Sequence, residues 1–287
     1  MSDPARAPAG AAPAAASGGV IVVKIGGGAD PGPVLDEVAE RAAAGLPTVL
    51  VHGGGAAADR LADRLGVRRE VIESPDGTHS RRTCPAMIEV LTMALLGQVK
   101  PRLVSGLTAR GARAVGLSGA DGALVTASRK PAIRSVRDGR TMLIRDDRSG
   151  RIEHVDPTLV RAALERGDVP VVSPPAVDVA GELLNVDADE VAARLAAALE
   201  ASALVLLTDV AGVLADPEDP SSRIPEVGPH HLTGDVVRGR MRHKVRAGLR
   251  AGGTVALVTI AAAHRRRPIR RALDGDGTWV REGGRHG

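Results

Sequence analysis

A chain of 287 residues with 38 basic and 34 acidic side chains, net charge +4, is long enough for one large α/β unit or two lobes. Its charge excess is too mild to imply nucleic acid, and with no Phe or Tyr and Trp279 as the one large aromatic, the core must be aliphatic and single-strand stacking is excluded. The lone Cys84 excludes an internal disulfide and a cysteine zinc cluster and fits a reducing cytoplasm.

Residues 1–19 are rich in Ala, Pro, Gly and Ser, with no basic start and apolar stretch. They read as a disordered tail rather than a signal peptide, and no run approaches a membrane span. "GVIVVKI" (19–25) predicts a buried strand, "PVLDEVAERAAAG" (33–45) a helix with a glycine stop, and "PTVLVHGGG" (47–55) a strand entering a glycine turn. Helices are predicted over 56–66 and 85–111, the latter with a kink at Pro101. "ARAVGLSGADG" (112–122) predicts a strand and turn; "ALVTASRK" and "TMLIRD" predict a hairpin flanking a basic loop, 129–140.

The second half continues in the same style. A helix over 156–167 has Asp156 as its N-cap, a strand follows over 169–175, and a helix over 187–201. "ALVLLTDVAGVL" (203–214) predicts a strand and turn, 241–253 a helix and "TVALVTI" (254–260) a strand. Continuous apolar strands alternating with helices predict a mostly parallel sheet covered on both faces. In such sheets ligands gather at the carboxyl ends of strands, where "KIGGG" (24–28), "HGGG" (52–55) and "GLSGADG" (116–122) all fall.

Glycine lets the backbone approach closely and point successive N–H groups at a phosphate, and a helix starting after the turn adds its positive end. A Walker A loop needs Lys after the glycines; Lys24 precedes them, so that mechanism is excluded. "GGGAAA" (53–58) formally fits a dinucleotide turn, with Glu73 as the ribose acid. Taken singly, each polar residue has a plainer role. Lys24 suits a strand end, Lys244 a solvated basic face, Asp187 and Asp189 a helix start, Asp209 a turn, and His52 a structural position. No His or carboxylate spacing suggests a dedicated metal cage.

"KIGGG", "VLVHGGG", "SRRT" (80–83), "GLSGADG", "NVDADEVAARLA", "LLTDVAGVL" and "GRMRHKV" occur in one order across residues 20–281. Together they resemble the amino acid kinase family, in particular its acetylglutamate kinase branch. "SPDGTHSRRT" (74–83) and "RPIRRALDGDGTWVR" (267–281) are closer to the carrier-protein-dependent kinases of that branch, which act on [LysW]-aminoadipate or its glutamate counterpart. The resemblance implies a three-layer αβα sandwich of the carbamate kinase-like type. It implies an acceptor-binding and dimerising lobe over 20–175 and an ATP-binding lobe over 176–287.

It further implies phosphorylation of a side-chain carboxylate by ATP, with Mg²⁺ held mainly by phosphates and water. The amine is blocked by an acidic amino-group carrier protein, or by acetyl if free N-acetyl-L-glutamate is the acceptor; a non-catalytic ATP or amino-acid sensor is a further alternative. Lys24 would meet the transferring phosphoryl group, Lys244 the leaving side, and Asp189 would hold both. Gly26, Gly27, Gly53, Gly54 and Gly55 would supply N–H donors, and Asp209 and Gly212 would form the nucleotide-side turn. Arg81 would grip the substrate's α-carboxylate and Asn185 would lie beside its blocked amine. Glu190 departs from the Gln often found there in relatives and adds charge near Asp189. The basic stretch 129–151 would dock an acidic carrier. A homodimer without arginine feedback, and no nucleic acid or membrane partner, complete these expectations.

Overall fold

The structure, a computed structural model, describes residues 18–73, 79–137, 140–233 and 237–281. Most of the predicted tail, residues 74–78 of the "SPDGTHSRRT" stretch, and Asp138 of the basic loop lie outside the described residues. In chain order the elements are β1 (Ile21–Ile25), α1 (Gly32–Ala43), β2 (Thr48–His52), α2 (Gly55–Leu65), β3 (Val71–Glu73), β4 (His79–Arg81), α3 (Pro85–Ala94), α4 (Lys100–Thr108), β5 (Ala114–Ser118), β6 (Val125–Arg129), β7 (Ile133–Arg137) and β8 (Arg140–Ile144). They continue as β9 (Gly150–Val155), α5 (Thr158–Glu165), β10 (Val169–Ser173), β11 (Ala176–Val177), β12 (Leu183–Leu184), α6 (Ala188–Ala198), β13 (Ala203–Thr208), β14 (Glu226–Val227), α7 (Gly239–Gly252), β15 (Leu257–Ala262), α8 (Pro268–Leu273) and β16 (Thr278–Val280).

The main sheet has the order β14-β16-β15-β13-β1-β2-β10-β5. All pairings from β15 across to β5 are parallel, and β16 is antiparallel to β15. The sheet is continuous: β1 pairs with β2 on one side and β13 on the other, so first-half and second-half strands meet at the middle. Successive side chains of a strand point to opposite faces, and β1 divides accordingly. Ile21, Val23 and Ile25 pack with Val34, Val38, Leu103, Leu107 and Ile269 of α1, α4 and α8. Val22 packs with Val191, Leu195 and Val245 of α6 and α7, on the face also covered by the small sheet β12-β11-β6-β9. This gives the expected three-layer αβα arrangement with a mostly parallel centre. Lys24 has the parity of Val22, so it points toward α6 and α7.

Three local expectations change. The predicted 85–111 helix is one rod from α3 to α4, but Leu95–Val99 forms a π-helical stretch just before Lys100-Pro101. Proline has no N–H and clashes with the carbonyl four residues back, so the ladder widens there instead of kinking sharply. The hairpin expected between "ALVTASRK" and "TMLIRD" is corrected: β8 pairs with β7, and β6 pairs with β9. Arg137 faces Arg140 across a two-residue Asp-Gly link, the strongest short hairpin signal in this stretch. Pairing of β7 with β8 leaves β6 free to pair with β9. Glu73 sits exposed in the separate β3–β4 hairpin rather than at the end of a main-sheet strand, which removes the dinucleotide reading.

Candidate active site

The site begins at the carboxyl end of β1. Lys24 Nζ lies 2.7 Å from Asp189 Oδ1. Asp189 is in the first turn of α6, whose N-cap Asp187 accepts hydrogen bonds from the backbone N–H groups of Asp189 and Glu190. From α7, Lys244 donates to both oxygens of the same carboxylate, at 3.0 and 3.1 Å. Lys24, Asp189 and Lys244 are only 5, 6 and 7 % exposed.

Burial works to raise the Asp189 carboxyl, but Lys24 and then Lys244 outweigh it and hold it below the usual carboxylate range. Burial and the charge of Lys24 push the Lys244 ammonium down, against the pull of Asp189. Two ammonium groups against one carboxylate leave one surplus positive charge in a nearly dry place. The single-residue readings of Lys244 as a solvated face and Lys24 as a solvated strand end therefore do not hold.

The glycine turns stand beside this triad. Gly26 N donates to Leu207 O at 3.0 Å and Gly53 N to Ile25 O at 3.1 Å, so these two amides extend the strand ladder. Among the described residues, Gly27 N and Gly54 N have no protein acceptor. A Cβ on Gly27 would lie 3.0 Å from Gly54 N and 3.3 Å from Gly55 N, so glycine is what permits the two turns to touch. A Cβ on Gly53 would lie 3.8 Å from Lys24 Nζ. Gly54 is the N-cap of α2, without a side-chain cap, so free N–H groups and the helix's positive end lie at this turn, next to Gly53 and Lys24.

Next to this turn, Arg81 donates to Asp59 Oδ1 at 2.6 Å and to Gly55 O at 3.3 Å. Asn185 Nδ2 donates to Thr83 Oγ1 at 3.0 Å, bringing "SRRT" and "NVDADE" together. Asp147, one of the acids within the basic stretch 129–151, has a structural role that the sequence does not signal. Buried at 2 % exposure, it accepts from Thr83 N at 2.7 Å and Ser149 N at 2.8 Å, tying the segment after Arg81 to the loop before β9. Its neighbour Asp146 is exposed and bonded to Arg82, and nothing in "RDDRSG" distinguishes the two.

Asp209 is exposed at the end of β13 and accepts from Thr208 Oγ1 at 2.9 Å. Gly212 has φ +155°, and a Cβ there would meet Thr278 Oγ1 at 2.5 Å. These two lie on the β13 side of the Gly26 turn, with no described contact to the lysines. Glu190 turns away from the triad to Arg194, at 2.6 Å, and Arg250, so its charge is matched locally.

The chain also resembles known proteins. The model of the amino acid kinase family matches residues 19–257. The chain is 39 % identical to a "[LysW]-aminoadipate kinase" of Thermus thermophilus, over 91 % of this chain and all of that one. It is 41 % identical to the chloroplastic acetylglutamate kinase of Arabidopsis thaliana, over 73 % of this chain and 58 % of the relative. Among solved structures, Giardia carbamate kinase superposes with a TM-score of 0.63 at 15 % identity, over 93 % of this chain and all of that one, which bears on the fold alone.

Proposed function

Because the chain belongs to the amino acid kinase family, we propose that it transfers the γ-phosphoryl group of ATP to the side-chain carboxylate of a glutamate or 2-aminoadipate whose amine is linked to a small acidic carrier protein. The observation that carries this reading is the convergence of Lys24 and Lys244 on Asp189, beside the free N–H groups of Gly27 and Gly54.

The chemistry needs no general base, because a carboxyl group with a pKa near ~4 is already ionised at neutral pH. One carboxylate oxygen attacks the γ-phosphorus, the bond to the β–γ bridging oxygen breaks, and ADP leaves with that electron pair. The acceptor becomes an acyl phosphate. The difficulty is electrostatic: two unit charges of like sign about 4 Å apart repel by about 4 kcal/mol at an effective dielectric of ~20. Fixed positive groups remove that repulsion without reorganising. Lys24 offsets charge on the transferring group, Lys244 on the leaving side, and the Gly27 and Gly54 amides bind the equatorial oxygens.

Both Asp189 oxygens are held by ammonium groups, which fits a Mg²⁺ ion carried in by the phosphates and water rather than by a carboxylate cage. On the acceptor side, Arg81 would exchange Asp59 for the substrate's α-carboxylate, and Asn185 would approach the blocked amine. The strands up to residue 175 would form the acceptor and dimer side, the remainder the nucleotide side with Asp209 and Gly212.

Exposed Lys130, Arg134 and Arg140 have no described ion pair, so they are available to an acidic carrier. The homodimer and the cytoplasmic location remain parts of this proposal; among the described residues no helix is long and apolar enough to cross a membrane. The test is to incubate the enzyme with ATP and hydroxylamine, offering either carrier-linked glutamate and aminoadipate or free N-acetyl-L-glutamate. Hydroxamate on the carrier-linked acceptor is expected, and efficient turnover of free acetylglutamate would remove the carrier.

A further inference from the structure

The reaction as derived leaves one buried polar pair unused. His52 ends β2 and Ser173 ends β10, both are wholly buried, and His52 Nε2 lies 2.7 Å from Ser173 Oγ. His52 Nδ1 lies 3.0 Å from Gly53 O, the carbonyl of the very next residue. We infer that His52, held by Ser173, is a positioning residue that fixes the Gly53–Gly54 peptide so that the Gly54 N–H faces the phosphoryl group. This rests on the reading of the Lys24–Gly27–Gly54 region as the phosphoryl-transfer site.

Strand parity places the pair. Thr48, Leu50 and His52 share one face of β2, and Leu50 packs with the α1 and α4 residues. Val171 and Ser173 share the same face of β10. Lys24 leaves β1 on the opposite face, toward α6 and α7. The imidazole therefore lies under the glycine turn and the ammonium group above it.

A carbonyl oxygen can only accept, so Nδ1 carries the ring proton and donates it to Gly53 O. Burial, with Lys100 and Lys24 nearby, lowers the imidazole to about 4, so the ring is neutral at pH 7. Nε2 is then a pure acceptor, and the Ser173 hydroxyl donates to it. Each group has one role, and the tautomer is fixed by its partners.

The consequence follows from peptide geometry. No described peptide is cis, and in a trans peptide the C=O and the following N–H point in opposite directions. Drawing the Gly53 carbonyl toward the β2–β10 underside turns the Gly54 N–H toward the Gly27 turn, where it has no protein acceptor among the described residues. Glycine at 53 and 54 would otherwise leave this peptide free to rotate. The buried pair thus removes the freedom that the close approach of the turns introduced.

The experiment compares His52→Leu, His52→Asn, Ser173→Ala and Lys24→Met in the hydroxamate assay, with KM for ATP and acceptor and the thermal midpoint recorded for each. The Leu variant, which cannot donate to Gly53 O, is expected to lose roughly 10- to 100-fold in kcat with both KM values within about threefold. The Asn variant keeps a donor at the Nδ1 position and is expected to recover most of that loss.

Lys24→Met reports on the underlying site. If it is inactive while His52→Leu keeps its kcat, the inference fails and the site reading stands; if Lys24→Met is fully active, both fail. Equal impairment of the Leu and Asn variants, with raised KM and a lower thermal midpoint, would assign His52 to packing and overturn positioning. Should the Leu variant not fold, Ser173→Ala decides. A kcat lower by about 3- to 10-fold at unchanged KM supports the inference, and an unchanged kcat overturns it.

Discussion

Asp189→Ala exposes the electrostatic logic most fully. The wild-type site holds two ammonium groups and one carboxylate, all under 10 % exposed. Removing the carboxylate leaves two like charges side by side, with the Lys244 ammonium already pushed down by burial and by Lys24. Breaking a buried ion pair by deleting one partner costs about 3–5 kcal/mol. For a chain of 287 residues this lowers the thermal midpoint by on the order of 10 °C.

The pH dependence gives the signature. A lysine whose folded pKa lies below its unfolded value binds fewer protons when folded, so stability rises as pH climbs through the folded pKa. In Asp189→Ala that pKa falls further, and the variant is expected to recover part of its deficit between pH 7 and pH 9.5. Urea unfolding of both proteins at the two pH values measures this, and kcat is expected to fall about 100- to 1000-fold because the lysines lose their common anchor. A variant as stable as wild type at pH 7, with turnover retained, would refute the reasoning.

Other outcomes follow from single contacts. Glu190→Gln is expected to leave kcat within about threefold, because the carboxylate is matched by Arg194 and Arg250; a loss beyond tenfold would mean that its charge reaches the phosphates. Gly212→Ala is expected to cost about 1–3 kcal/mol of stability and to raise KM for ATP, since its φ and the neighbouring Thr278 Oγ1 leave no place for a methyl group; a neutral substitution contradicts this. Glu37 accepts from Ile269 N and Arg270 N at 2.7 Å each, and burial raises its carboxyl above the usual value despite those bonds. Its raised folded pKa means that protonation favours the folded state, so the stability gap between wild type and Glu37→Gln is expected to widen in favour of wild type from pH 7 to pH 5; a gap that narrows in urea titrations is the opposite result. Replacing Arg134 and Arg140 by Glu is expected to raise KM for a carrier-linked acceptor and leave KM for ATP unchanged, with equal effects on both arguing against a docking surface.

The parallel strands were legible because each is an unbroken aliphatic run ending in glycine, as in "VVKIGGG" and "VLVHGGG". The strand alternation that buries Val22 also sets the direction of Lys24, so its meeting with α6 and α7 was implicit once those helices were placed on that face. The meeting itself joins residues 165 and 220 positions apart in the chain, and only the sheet order brings them together. Glu37 capping α8 is of the same kind: neither "LDEVAE" nor "RPIRRAL" signals the other. The misread strand pairing of β6 arose because an apolar alternation states which face is buried, not which strand lies alongside. Asp147 stayed hidden because burial, not residue type, gives it its role. The place of His52 before a glycine turn suggests a structural position, and its partner Ser173, 121 residues on, becomes visible only when β2 and β10 lie side by side.

The central claim is that two ammonium groups act on one phosphate chain, and a crystal structure with a non-hydrolysable ATP analogue tests it most directly. The account predicts both Lys24 Nζ and Lys244 Nζ within about 3 Å of phosphate oxygens, with the Gly27 and Gly54 N–H groups directed at the terminal phosphate. A triphosphate seated elsewhere, with both ammonium groups still turned only to Asp189, would contradict it.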